Sequence, residues 1–258
     1  MNIDDLTDQT MSLLSDALED AHEKIQPSGL ACYTQIFSYR HARNVLNLAE
    51  DFLILESELR FYSPSIVLRA MLESFFSIAA AAQNPNFPQE KTLSETLSAV
   101  NSIEKWIKHG GLSDELDEAL AQYQGLEQRL RDHFNMTGNP DWSVRRTAEE
   151  GKLLSEYIRA YFMLSLATHS TISGLITHER QGTFGFRRQN FLMVVAATAG
   201  YLPRLVPMTD SSRYSDQGAK LLKCICDHVE KGTFTELNDA EEDLKAELFL
   251  VDESDGEP

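Results

Sequence analysis

Positive charge and cysteine are both scarce in this sequence. Its 258 residues include 23 lysines and arginines against 40 aspartates and glutamates, for a formal charge of −17. An acidic chain of this kind repels nucleic acid at long range. Three cysteines, Cys32, Cys224 and Cys226, do not make a disulfide framework and fit a reducing compartment. Residues 1–10 lack the basic and apolar regions of a secretory signal. The longest apolar run, residues 191–202, suits a buried core helix and is short for a bilayer, which needs about 20 residues. Gly182-x-x-Gly185 has no lysine after it, so no phosphate-binding loop is present, and His178-Glu179 lacks the second histidine of a zinc-protease motif. Cys224-x-Cys226, with His228 nearby, places two thiols on different helix faces. It reads as small buried hydrophobes rather than a zinc site. No stretch sustains strand alternation, and no repeat is visible. These absences predict a cytoplasmic protein with no membrane partner, no metal and no cofactor.

Apolar residues are plentiful. A hydrophobic content of 42% separates the chain from charged, disordered sequences and supports a real core. The acidity belongs to the ends. Residues 1–24 carry seven acids against Lys24, and residues 230–258 carry eleven acids against Lys231 and Lys245. The body is nearly neutral, and within it residues 180–223 hold seven bases against Asp210 and Asp216. One basic face therefore stays open to an acidic partner.

Apolar residues spaced three and four apart, between proline and glycine breaks, predict helices over 3–25, 30–59, 64–82, 93–108, 114–134, 142–150, 153–176, 186–201, 215–231 and 238–251. Ser63-Pro64 reads as a helix start, and Thr92 with Glu95 as a capping box. With no long linker, the economical architecture is all-α: a multi-helix bundle, mainly up-and-down, with extra C-terminal helices. Residues 1–231 form one domain in this reading. Residues 232–258 form an acidic C-terminal helix and a flexible tail.

Two constellations could carry chemistry. The 64–82 helix is apolar on nearly every side, as a central helix is. Its only charges, Arg69 and Glu73, lie at i and i+4 on one face, which predicts a buried pair or a polar pocket. The second constellation is Tyr157, Tyr161, Ser165 and His169, four apart along one slowly drifting helix face. Phenol, hydroxyl and imidazole together can transfer protons or anchor a ligand. Both helices must bury apolar surface and satisfy their polar groups, so Arg69 or Glu73 is predicted within reach of Tyr161, Ser165 or His169. Weaker candidates are Arg187 and Arg188, which could meet a phosphate but read more simply as a solvated helix start, and Arg40 in the basic cluster Arg40-His41-x-Arg43.

The run Gly138-Asn139-Pro140-Asp141-Trp142-Ser143, the Tyr161-x-x-x-Ser165-x-x-x-His169 spacing and the upstream Arg69-x-x-x-Glu73 resemble a family of uncharacterised bacterial helical proteins, known only as a domain of unknown function. The resemblance spans residues 46–175. It implies an all-α fold and a shared polar centre of Arg69, Glu73, Tyr161, Ser165 and His169, with no established activity. A wider likeness is to HEPN-type helical bundles, some of which are ribonucleases. Active members carry Arg, four to six residues, then His. Here the nearest spacings are Arg129 to His133 and Arg159 to His169, which depart from that pattern.

Two classes of function follow. The favoured one is a helical binding or regulatory protein whose polar centre holds the fold or a ligand, with an unknown protein or small molecule as partner and self-association left open. The alternative is a HEPN-like enzyme acting on RNA or nucleotides through His169, Arg69 and Glu73. Nucleic acid is disfavoured by the acidic ends and by the missing Arg-to-His motif.

Overall fold

A computed structural model describes residues 2–25, 30–57, 63–109, 114–162, 164–165 and 184–234. Every regular element among them is helical. They are α1 (Ile3–Lys24), α2 (Leu30–Ser57), α3 (Ser63–Gln83), α4 (Phe87–Lys108), α5 (Asp114–Phe134) and α6 (Val144–Glu150). Next comes α7, which opens at Leu154–Glu156 and continues into a π-helical turn, Tyr157–Tyr161. After it come α8 (Phe184–Tyr201), a 3-10 turn (Leu202–Arg204) and α9 (Ser211–Glu230). The chain is an all-α multi-helix fold. His169, the predicted helix over 238–251 and the C-terminal tail lie outside the described residues.

Local chemistry sets the boundaries. Asn2 caps α1 with a reciprocal capping box: its side chain accepts from the Asp5 N–H, and the Asp5 carboxylate accepts from the Asn2 N–H. Asp210 caps α9 and Ser143 caps α6, each by accepting the backbone N–H three residues on. The expected start of the fourth helix at residue 93 is corrected. α4 begins at Phe87 with Pro88 in its first turn, where a missing N–H costs nothing. Thr92 is no cap: its hydroxyl donates back to the Pro88 carbonyl inside the helix.

α3 is the central helix. Leu68, Met71, Phe76, Ile78, Ala79 and Ala80 are fully sealed. It lies along α2 on one side and packs on α8 and α6 elsewhere. By length and composition α3 would also suit a bilayer, but 67% of its apolar window is buried against its neighbours. The apolar run in α8 inserts alongside it, with Phe191 stacked on Phe52 of α2 at 4.7 Å. Fully burying a side chain of this size stabilises by roughly 1.5–3 kcal/mol. Glycine allows two close approaches. A Cβ on Gly218 of α9 would sit 2.9 Å from the Gly200 Cα of α8, and one on Gly151, after α6, would sit 3.0 Å from the Ala79 Cβ. α4 and α5 form a hairpin whose far half stands away from this body. Only Leu130 of α5 is buried, and Trp106 near the end of α4 is 65% exposed.

Two bases of the 180–223 stretch are spent on internal pairing. Arg213 meets Asp16 of α1 at 3.2 Å, and Arg188 meets Glu56 of α2 at 2.9 Å. Thr209 donates its hydroxyl to Asp20 at 2.6 Å. The acidic N-terminal helix is thus fastened to the basic part of the body, which reduces the basic face expected from sequence.

Candidate functional site

The sequence-predicted meeting of two helices is present. α3 presents Arg69 and Glu73 one turn apart, and the π turn of α7 delivers Tyr161 to them. The Tyr161 hydroxyl donates to Glu73 Oε1 at 2.7 Å and accepts from Arg69 Nε at 3.0 Å. The same Arg69 lies 3.4 Å from Glu73 Oε1, with its Cζ 5.0 Å from the centre of the Tyr161 ring. Tyr157 stacks on Tyr161 at 5.2 Å, and Phe76 meets both rings. The wider turn has a local cause visible in its bonding: the Phe162 N–H reaches back to the Tyr157 carbonyl, five residues away. π turns of this kind concentrate at functional sites.

Burial is uneven across the trio. Tyr161 is 5% exposed, whereas the Arg69 and Glu73 side chains retain 29% and 42% of their accessible surface. The expectation of a buried pair is therefore corrected. α3 is central, but its one charged face reaches water, because leaving it wet avoids the desolvation cost of sealing two charges. Burial, followed by the hydrogen bond and charge of Glu73, pushes the Tyr161 hydroxyl up to about 12, with Arg69 acting in the opposite sense. At neutral pH it is a phenol, a donor to Glu73 rather than a base. Ser165 is half-buried beyond this turn. His169 is outside the described residues.

A cleft of about 170 Å³ opens beside Glu73, at the junction of four helices. His41 and Asn44 come from α2. Ala70, Glu73, Ser74 and Ser77 come from α3, Lys91 and Glu95 from α4, and Val144 and Thr147 from α6. Burial, reinforced by the charge of Lys91, lowers His41 to about 4, so its imidazole is neutral at pH 7. Lys91 binds Glu95 at 3.2 Å and donates to the Trp142 carbonyl at 3.0 Å. Trp142 in turn donates its backbone N–H to Ser94 and its indole N–H to Glu90, and packs edge-on against Phe87 at 4.9 Å. The Gly138–Ser143 run thus pins the start of α6 onto α4, and α6 supplies Val144 and Thr147 to the cleft.

Most of these residues escaped sequence reasoning. His41 was seen only as part of a basic cluster, although Phe37-x-x-x-His41-x-x-x-Val45 places it on an apolar stripe. Phe37 and Val45 are buried, and the Phe37 and His41 rings lie 4.4 Å apart. Lys91 and Glu95 carry only an i, i+4 pairing signal, which surface helices share. Arg40 is exposed on α2.

Arg187 and Arg188 do not form a solvated helix start. Arg187 is 2% exposed, and the Arg188 side chain retains 13% while its Glu56 partner retains 2%. The reason is position: they open the helix that carries the apolar run, so the core closes over them, and a carboxylate meets Arg188. Cys226 is exposed and Cys224 half-buried, so the expectation of two buried thiols is corrected. Cys226 falls on the solvent face of an amphipathic helix. Among the described residues no cluster of His, Cys, Asp and Glu could hold a metal ion.

Comparison with known proteins agrees with the family resemblance and extends it. No curated protein and no solved structure matches the chain. Residues 35–183, more than half the chain, match a family profile. That segment contains Arg69, Glu73, Tyr161 and every residue lining the cleft. The protein accordingly belongs to the Family of unknown function (DUF5677).

Proposed function

We propose that this protein is a cytoplasmic helical binding or regulatory protein whose polar centre takes a small polar ligand. The observation that carries this reading is the partial exposure of Arg69 and Glu73, held in fixed geometry by the buried Tyr161. A purely structural pair gains nothing from Tyr161 orienting both partners while both stay wet, since exposed i, i+4 pairs contribute only about 0.3–0.5 kcal/mol. Orientation of charged groups that water can still reach is what ligand recognition requires. The cleft beside Glu73 supplies the volume. The neutral Tyr161 phenol suits donation to a carboxylate and does not suit proton abstraction, which weighs toward binding over catalysis.

The HEPN-like alternative, acting on RNA or nucleotides, draws on His169 and on a basic face. The basic residues Arg188 and Arg213 are engaged with Glu56 and Asp16, which leaves that reading with less support. The test is mass spectrometry of small molecules extracted from the purified wild-type chain and from Arg69→Ala and Ala70→Leu variants. One compound enriched in the wild type and depleted in both variants is expected. RNA fragments in its place would favour the alternative. Indistinguishable extracts from all three proteins would overturn the binding reading.

A further inference from the structure

The cleft beside Glu73 has a donor–acceptor balance that selects a chemical class. Two of its three hydroxyls have committed their protons: Ser77 donates to the Glu73 carbonyl and Thr147 to the Ser143 carbonyl, each at 3.0 Å. Lys91 spends its ammonium on Glu95 and on the Trp142 carbonyl, and the Asn44 amide donates to Ser74 at 2.9 Å. These side chains therefore offer mainly lone pairs to a ligand. Glu73 adds a carboxylate whose Oε1 is fixed by Tyr161 and Arg69, while its Oε2 accepts no hydrogen bond among the described residues. The lining carries Glu73, Glu95 and Lys91, with His41 neutral, and Arg69, outside the lining, offsets Glu73 through its Oε1. An acceptor-rich recess with one carboxylate oxygen to spare is complementary to a donor-rich cation. At roughly 30 Å³ per water-sized group, the space holds on the order of five or six non-hydrogen atoms.

Building on the binding reading above, we propose that this cleft receives the protonated amine or guanidinium head of a ligand, with Glu73 as its counter-ion. Tyr161 and Arg69 are positioning residues: they hold one Glu73 oxygen and leave the other for the guest. The head belongs to a free small amine or to a lysine or arginine side chain of a peptide, and the chemistry of recognition is the same for both.

The test is a heteronuclear NMR titration of the full chain with ethylammonium, methylguanidinium, acetate and acetamide, and with short peptides containing lysine or arginine. The two small cations should perturb the amides around Ala70, Glu73 and Thr147, with affinities at least tenfold above those of acetate and acetamide. Binding of the peptides tenfold tighter than that of the free cations would assign the head to a side chain, and the reverse would assign it to a free amine. Glu73→Gln should weaken cation binding tenfold or more. Ala70→Leu, which fills the cleft and leaves the Glu73 network in place, should abolish it, so the proposal stays testable if Glu73→Gln fails to fold. Cations binding no better than acetamide, or binding equally to Ala70→Leu, overturn the proposal. Acetate or acetamide binding that Ala70→Leu removes would overturn the ligand class alone and leave the binding reading standing.

Discussion

Two arginine–glutamate pairs sit in this molecule under opposite conditions. Arg188 and Glu56 join α8 to the end of α2, with 13% and 2% of their side-chain surface accessible. Arg69 and Glu73 lie one turn apart on α3 and keep 29% and 42%. In the first pair the carboxylate is sealed, and Arg188 also reaches Thr7 and lies 6.0 Å over the Phe191 ring. In the second a tyrosine from another helix orients both partners, and water reaches them. Sealed charge locks helices together, because each partner has nowhere else to go. Charge that is oriented but wet contributes little to stability and is available for recognition. The same residue types thus act as a fastener in one place and as a candidate receptor in the other, and their surroundings decide which.

The largest effect expected from this contrast is at Glu56. Glu56→Ala removes the carboxylate beside a nearly sealed guanidinium and should cost about 3–5 kcal/mol in urea unfolding. The Glu56→Leu, Arg188→Leu double variant should cost less than the worse single change. A loss below about 1 kcal/mol for Glu56→Ala would erase the distinction between the two pairs.

The next effect concerns pH at the cleft. His41 has a folded-state value of about 4, below its ordinary 6.5, so the unfolded chain binds a proton first as pH falls. Its contribution is complete above 6.5 and is lost as pH drops through 4, with a ceiling of about 3 kcal/mol. Unfolding free energy measured from pH 7 to 4 should fall less steeply in His41→Gln than in the wild type. Parallel curves would show that His41 is not sealed beside Lys91.

At the alkaline end Tyr161 acts with the opposite sign. Its raised value, about 12 against an ordinary 10, means that the folded state keeps the proton longer. The contribution is therefore present below pH 10 and lost as pH rises from 10 through 12. Burial also raises Tyr33 and Tyr214, so near-ultraviolet absorbance should show a late tyrosine phase that Tyr161→Phe reduces by one tyrosine. A titration of the wild type that lacks this step would break the hydrogen-bonded trio.

The smallest stability effect should come from Arg69→Ala and Glu73→Ala, each within about 1 kcal/mol of the wild type, as for partly exposed pairs. Ligand retention should suffer much more than stability. A cost as large as that of Glu56→Ala would show that both pairs are fasteners.

The helices were legible from residue spacing alone, because amphipathic periodicity and proline–glycine breaks are local properties. α5 falls on the predicted 114–134, and α1 ends within a residue of its prediction. The start of α4 was misplaced because Thr92 and Glu95 imitate a capping box that Pro88 makes unnecessary. The encounter of Arg69 and Glu73 with Tyr161 was also legible, since two apolar helices with stranded polar groups have few other ways to satisfy them.

Sequence by itself determined an all-α chain, a central α3 and a polar meeting point on it. Only the tertiary structure decided which charges were sealed. Burial depends on what the other helices cover, and no window of sequence records that. Hence Arg187 and Arg188, which look like a solvated helix start, are enclosed where the core closes over α8, while Arg69 and Glu73, on the most apolar helix, remain wet. The cleft was illegible for the same reason. His41, Glu73, Lys91 and Thr147 come from four helices spread over more than a hundred residues, and only packing brings them to one recess.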